Sequence, residues 1–280
     1  MLIENKCDLD LRNENGHCAL MEAASAGHLN IVKLLIQSGA KAVFVNMNSE
    51  FKESPLTLAA YKGYTDVIEY LLSLNDYDRS TRDEELHTAL MEAAMDGHLE
   101  HVVKILLENG AQVNATTDET METALTVAAC GGFTEVLDVL VKNGGDLGLG
   151  TNTPLMEAAQ EGHASTVNYI LAAVKPEDRS VKFRQQMDQA LSLASENGHF
   201  DVLQVLYSNG ADLNFDYDGR TALMKAAKNG FTEIVEFLVA KGADVVEEVE
   251  EEDGKGCCPS FNYRYSTSKV HSTAFRPLLM

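Results

Sequence analysis

The sequence predicts an all-α solenoid of stacked helix–turn–helix units, and three observations predict it. A phrase ending in two small residues recurs seven times: CALMEAA (18–24), SPLTLAA (54–60), TALMEAA (88–94), TALTVAA (123–129), TPLMEAA (153–159), QALSLAS (189–195) and TALMKAA (221–227). Its leucine stands at 20, 56, 90, 125, 155, 191 and 223, so successive copies are 36, 34, 35, 30, 36 and 32 residues apart. Seven residues after every one of these leucines comes a glycine, and each glycine precedes a His or an aromatic residue: His28, Tyr64, His98, Phe133, His163, His199 and Phe231.

Each part of the unit has a mechanical reading. Thr or Ser ahead of Pro or Ala suits a helix start, where a hydroxyl satisfies free N–H groups and Pro tolerates the first turn. The small pair, such as Ala23-Ala24, lets that helix pack closely on its neighbours. The glycine ends it in a left-handed conformation. A second helix follows, with Ile31, Val32, Leu34, Leu35 and Ile36 at helical spacing. It closes at Gly39-Ala40, Gly110-Ala111, Gly210-Ala211 or Gly242-Ala243, and the Asp/Asn-rich stretch beyond carries the turn chemistry of a projecting hairpin finger.

The pattern G-x-T-P/A-L-x-x-A-A-x-x-G-H-x-x-V-V-x-x-L-L-x-x-G-A resembles the ankyrin repeat. The resemblance implies helix–turn–helix units with β-hairpin fingers over residues 1–246, as a partial repeat at 1–14 followed by about seven repeats. Where the usual repeat has His after Leu, this chain has Met21, Thr57, Met91, Thr126, Met156, Ser192 and Met224. Met alternates with Thr or Ser, which gives a super-period of two repeats, and helix packing is the expected role of the Met series. With TALMEAAMDGH (88–98), ETALTVAACGGF (122–133) and NTPLMEAAQEGH (152–163), this alternation resembles the ankyrin-repeat and KH-domain (Mask) family. The resemblance implies an adaptor array in signalling, with RNA contact left to a separate KH domain. No KH-type GXXG loop in a suitable αβ setting occurs, so the RNA activity is not carried over.

Residues 2–10 read like the end of a second helix and a finger, as in LLENGAQVN at 106–114, so the chain is expected to begin inside a repeat and to be part of a longer array. Three departures break the register. His101 adds one residue to the second helix of the third repeat, which calls for a bulge or an altered helix entry. The finger after Gly144-Gly145 shortens to DLGLGTN. After Val174, KPEDRSVKFRQQMD replaces the Gly-Ala ending and reads as a longer, charged finger. From 247 to 280 an acidic run, EEVEEED, opens a tail without repeat phrases that is expected to be disordered.

The net charge of −21 disfavours direct binding of nucleic acid or an anionic membrane, since both draw affinity from clustered Lys and Arg. The tail does not create it: the repeats alone keep 37 acids against 18 bases. Partner proteins with basic surfaces are the expected ligands. Met1 leads into no apolar signal region, and five scattered Cys (7, 18, 130, 257, 258) suit a reducing compartment, so a cytoplasmic or nuclear protein is expected.

No catalytic residue, metal site or cofactor is expected. His28, His98, His163 and His199 share one repeat position and cannot converge on a metal; they read as loop residues bonding the neighbouring turn. Cys257-Cys258 lacks a matching pair, and the glycines at 144–150 fit neither G-x-G-x-x-G nor a P-loop. The expected site is a surface. On the first helix of each repeat the positions of Glu22, Ser25 and Ala26 face the concave side. Down the array the last two become Tyr61-Lys62, Met95-Asp96, Cys130-Gly131, Gln160-Glu161, Glu196-Asn197 and Lys228-Asn229. This row varies while the framework stays fixed, as a binding groove would. The resemblance also implies Asn114 and Asn214, in the fingers, as candidates for asparaginyl hydroxylation, against the plainer role of bonding the turn backbone.

Overall fold

Helix-forming residues on one face and small residues on the other leave each short helix unable to bury itself alone, so the units stack. A computed structural model of the chain describes residues 8–41, 53–74, 79–95, 97, 100–117 and 120–245. Among these, fourteen α-helices pair into seven units. They are α1 (Ala19–Ser25) with α2 (Leu29–Gln37), α3 (Pro55–Lys62) with α4 (Thr65–Ser73), and α5 (Arg79–Ala94) with α6 (Glu100–Glu108). Then follow α7 (Ala124–Cys130) with α8 (Thr134–Lys142), α9 (Pro154–Gln160) with α10 (Ala164–Ala173), α11 (Val181–Asn197) with α12 (Phe200–Ser208), and α13 (Ala222–Asn229) with α14 (Thr232–Ala240). First helices pack on first helices and second on second, each with its neighbour along the chain.

The core is one continuous strip. All seven phrase leucines are buried, the least so Leu223 at 8% exposure. Each contributes about 1.5–3 kcal/mol by burial. The small pairs close the helix-to-helix distance: Ala24, Ala59, Ala60, Ala93, Ala94, Ala128, Ala129, Ala158 and Ala159 are fully buried. Helix starts follow the expected chemistry at Ser54, Thr123 and Thr221, whose hydroxyls accept from the first turn, but the Thr153 hydroxyl makes no such bond. Ser54 and Thr123 form reciprocal capping boxes with Thr57 and Thr126, and Pro55 and Pro154 occupy the first turns. The Thr members of the Met/Thr alternation are therefore capping residues, whereas Met21 and Met156 are buried packing residues.

Second helices end where a glycine turns left-handed: the Ala40 N–H donates back to the Leu35 carbonyl at 3.0 Å, and Ala111, Ala211 and Ala243 repeat the bond. Two units lack this ending. Leu74 and Val174 leave α4 and α10 in extended conformations, and no finger follows the second of them. The segment KPEDRSVKFRQQMD, expected as a longer finger, instead forms a short 3-10 turn at Pro176–Asp178 and the first two turns of the seventeen-residue α11. Ser180 caps that helix, its hydroxyl accepting from the Phe183 N–H at 3.1 Å. Arg179 takes over the role of the missing glycine. Its guanidinium donates to the carbonyls of Leu171, Val174 and Asn209, so it closes the ends of both α10 and α12. The sixteen-residue α5 is likewise extended ahead of its phrase.

No strand occurs among the described residues; the fingers reverse by isolated turns. The Thr117 N–H donates to the Glu122 carbonyl at 3.0 Å, and Tyr217 to Arg220 at 3.1 Å. Around the extra residue at His101, α6 runs Glu100–Glu108, and the two residues ahead of it, 98 and 99, lie outside the described residues. The acidic tail, Asp96, and residues 1–7 of the partial first repeat lie outside the described residues.

Candidate functional site

The row expected to face the concave side is carried by the ends of the first helices. Tyr61 and Met95 are 42% and 48% exposed, among several large apolar side chains of the described residues that reach solvent. Lys62 is exposed, and its ammonium lies 4.7 Å from the centre of the Tyr61 ring. Glu161 and Lys228 are exposed, and the half-buried Gln160 amide donates to Glu161. Asn197 and Asn229 are exposed but engaged: Asn197 donates to the Leu193 carbonyl, and Asn229 to the Glu196 carbonyl of the preceding repeat. Glu196 is paired with Lys225 at 2.9 Å.

The structure brings Tyr61, Lys62 and Met95 together. They line a groove of about 280 Å³ between α3 and α5, with Leu58, Glu53 and Glu92 completing it. Burial, reinforced by the like charge of Glu53, holds the Glu92 carboxyl above the usual range. Glu53 and Glu22 are bridged by His17, whose two ring nitrogens lie 3.1 Å from each carboxylate. Farther along, burial raises the Glu157 carboxyl, partly offset by the Asn152 amide, with Glu122 and Glu161 adding like charge. The same three acids, after burial, push the Cys130 thiol up. That thiol is exposed but poorly ionised, so it is a weak nucleophile.

Lys225 stands at the phrase position that Glu occupies in the first, third and fifth repeats. It is 5% exposed, held by Glu196 and by the Tyr217 ring at 4.5 Å. A second cavity of about 240 Å³ lies between the shortened 146–153 loop and the extension of α11, with Thr153, Met156, Lys182 and Gln186 in its wall. Sequence reading placed the Glu22 position on the concave side without naming Leu58 and Glu92, which hold that position and line the groove.

The finger asparagines join successive units. Asn114 accepts from the Asp146 N–H at 2.8 Å and donates to the Gly144 carbonyl at 3.0 Å. Asn214 accepts from the Asp244 N–H at 2.9 Å and donates to the Asp244 carboxylate at 2.8 Å. Both thus bond the next finger rather than their own turn. The histidines also reach between repeats: His163 Nε2 lies 2.8 Å from the Cys130 carbonyl oxygen. Among the described residues no group of His, Cys, Asp and Glu is placed to hold a metal ion, and no helix is long and apolar enough to cross a membrane.

Comparison with known proteins agrees with this geometry. The profile described as "Ankyrin repeats (3 copies)" matches residues 1–83, 43–117, 90–180 and 155–248. The chain is 37% identical over 212 residues to the ankyrin repeat and KH domain-containing protein mask-1 of Caenorhabditis elegans, covering 74% of this chain and 8% of that one. It is 39% identical over 120 residues to the mask protein of Drosophila melanogaster, covering 40% of this chain and 3% of that protein. It is 36% identical over 88 residues to protein phosphatase 1 regulatory subunit 27 of Mus musculus, or 31% and 55% of the two chains. The chain thus spans only about 8% of the length of the worm relative.

Proposed function

The chain belongs to the ankyrin-repeat family, and on that premise we propose that it is a non-catalytic scaffold that captures partner proteins along its concave groove and fingers. The observation that carries this reading is the open groove between α3 and α5. There the buried framework is constant, yet the accessible row presents Tyr61 and Met95 to solvent. A pre-organised solenoid surface binds with little ordering cost, and its acidity favours partners bearing Lys or Arg, with salt-sensitive association. The similarity to mask proteins and to a phosphatase regulatory subunit supports a signalling adaptor. A benzophenone amino acid placed at 61, 160 or 228 should crosslink the partner in cells, while the same group at the outward-facing, exposed Glu69 or Glu135 should not. Crosslinks from the outer positions alone would reject the groove.

A second reading rests on the small share of the worm relative that the chain spans. In it, this array is the protein-docking arm of a larger KH-containing, RNA-associated regulator. Immunoblotting the endogenous protein with an antibody to the repeats separates the two. A band near 30.6 kDa supports a free-standing adaptor, and a much larger one the docking arm. Hydroxylation of Asn114 and Asn214 belongs to the proposal as well. Both side chains lie on exposed finger positions, and intact mass after incubation with an asparaginyl hydroxylase tests it by the presence or absence of an added oxygen.

A further inference from the structure

The phrase position of Glu92 alternates strictly along the concave side: Glu22, Leu58, Glu92, Val127, Glu157, Leu193. None of the six is fully buried: Glu22 is exposed and the others are half-buried, Leu58 and Leu193 packing one side on the core, so part of each stays open to a ligand. Taking the groove reading as given, we propose that this ladder binds an extended partner segment in which a Lys or Arg and an apolar residue alternate at three-residue spacing. Its principal cation enters the cavity between α3 and α5.

Three arguments carry the assignment. Packed helices stand about 8–10 Å apart. In a polyproline-II segment every third residue returns to the same face after about 9 Å, so one side chain in three meets one repeat. The spacing of the ladder therefore matches an extended chain without any bending. Charge supplies the second argument. The cavity sets the Glu92 carboxylate, with that of the His17-bonded Glu53 beside it, against one ammonium, that of Lys62, and its walls are Leu58, Tyr61 and Met95. A lysine or arginine stem fits such a surface, with its methylenes on the apolar wall and its charge at the acids. The third argument is that the chain already builds this kind of seat for itself. In the last repeat Lys225 takes the ladder position and is held by a carboxylate at 2.9 Å and an aromatic ring at 4.5 Å. The α3/α5 cavity holds the same ingredients, the Glu92 carboxylate and the Tyr61 ring, and a cation from outside would share or displace the exposed Lys62 ammonium there.

The test uses the full chain and two fluorescent peptides of one composition. One is Lys-Ser-Ser-Leu-Ser-Ser-Lys-Ser-Ser-Leu; the other has the same residues with both Lys adjacent and both Leu adjacent. Anisotropy titration should show the spaced peptide binding about tenfold more tightly than its isomer, the size of one charged contact. Glu92→Gln should remove about tenfold from the spaced peptide, and Glu69→Gln on the outer side of α4 should remove nothing. Equal binding of the two isomers, or equal losses from Glu92→Gln and Glu69→Gln, overturns the ladder and leaves only diffuse attraction to net charge. Such a failure is distinct from failure of the groove itself, which is read by the benzophenone crosslinks at 61, 160 and 228.

Discussion

The imidazole of His163 reaches back one full repeat, its Nε2 lying 2.8 Å from the Cys130 carbonyl oxygen while its ring covers Gly132. A Cβ at 132 would stand 2.5 Å from His163 Nδ1, on a backbone with φ +74°. Gly132→Ala therefore combines left-handed strain with displacement of the ring, and should cost about 2 kcal/mol or more. Urea titration followed by circular dichroism checks it; an unchanged midpoint would contradict the packing described.

The central leucines are a second probe. Leu125 is fully buried and Leu90 is 1% exposed, each between the helices of adjacent repeats. Leu125→Ala or Leu90→Ala should lower stability by roughly 2–5 kcal/mol through the cavity left behind. Because coupling between repeats is local, melting should broaden as well as shift.

Fingers are tied by side-chain amides, so Asn114→Ala removes one bond accepted and one donated between consecutive units. A loss of about 1–2 kcal/mol is expected. Hydrogen exchange should rise at the Asp146 N–H, and Asn214→Ala should do the same at Asp244.

Glu85 supplies a pH test. It is 4% exposed on α5, and burial pushes its carboxyl up to about 7, with the Ser54 hydroxyl pulling the other way. The native state thus keeps a proton that the unfolded chain gives up near its ordinary value of 4.5. This contribution to stability is complete below that value and is lost as the pH rises through about 7. Glu85→Gln has no such loss, so its stability relative to wild type should rise by about 2–3 kcal/mol between the two ends of that window. A constant difference across the window would refute the buried placement.

The repeat, its glycines and the capping residues were legible because each obeys a local rule repeated in register. Leu20 through Leu223 had to be interior for the stacking to work, and they are. The first turns of α5 and α11 were not legible. DRSTRDEELH and SVKFRQQMD hold too few apolar residues in helical register to read as buried helix, and the only clue was the missing Gly-Ala after Leu74 and Val174. Tyr61 and Met95 were visible as the variable row. The cation seat at Lys225 was not, because Glu196 and Tyr217 lie on different elements and meet only when the repeats stack.

The covering of each glycine turn by a ring from the following unit recurs with Tyr64 on Gly27, Phe133 on Gly97, His199 on Gly162 and Phe231 on Gly198. All of these contacts run the same way along the chain. During synthesis, a turn leaves the ribosome uncovered and is closed only when some thirty to forty further residues have followed. On the growing chain, each covered turn can therefore gain its ring only after the next repeat has been made. A pause in translation would leave the last such turn without its ring.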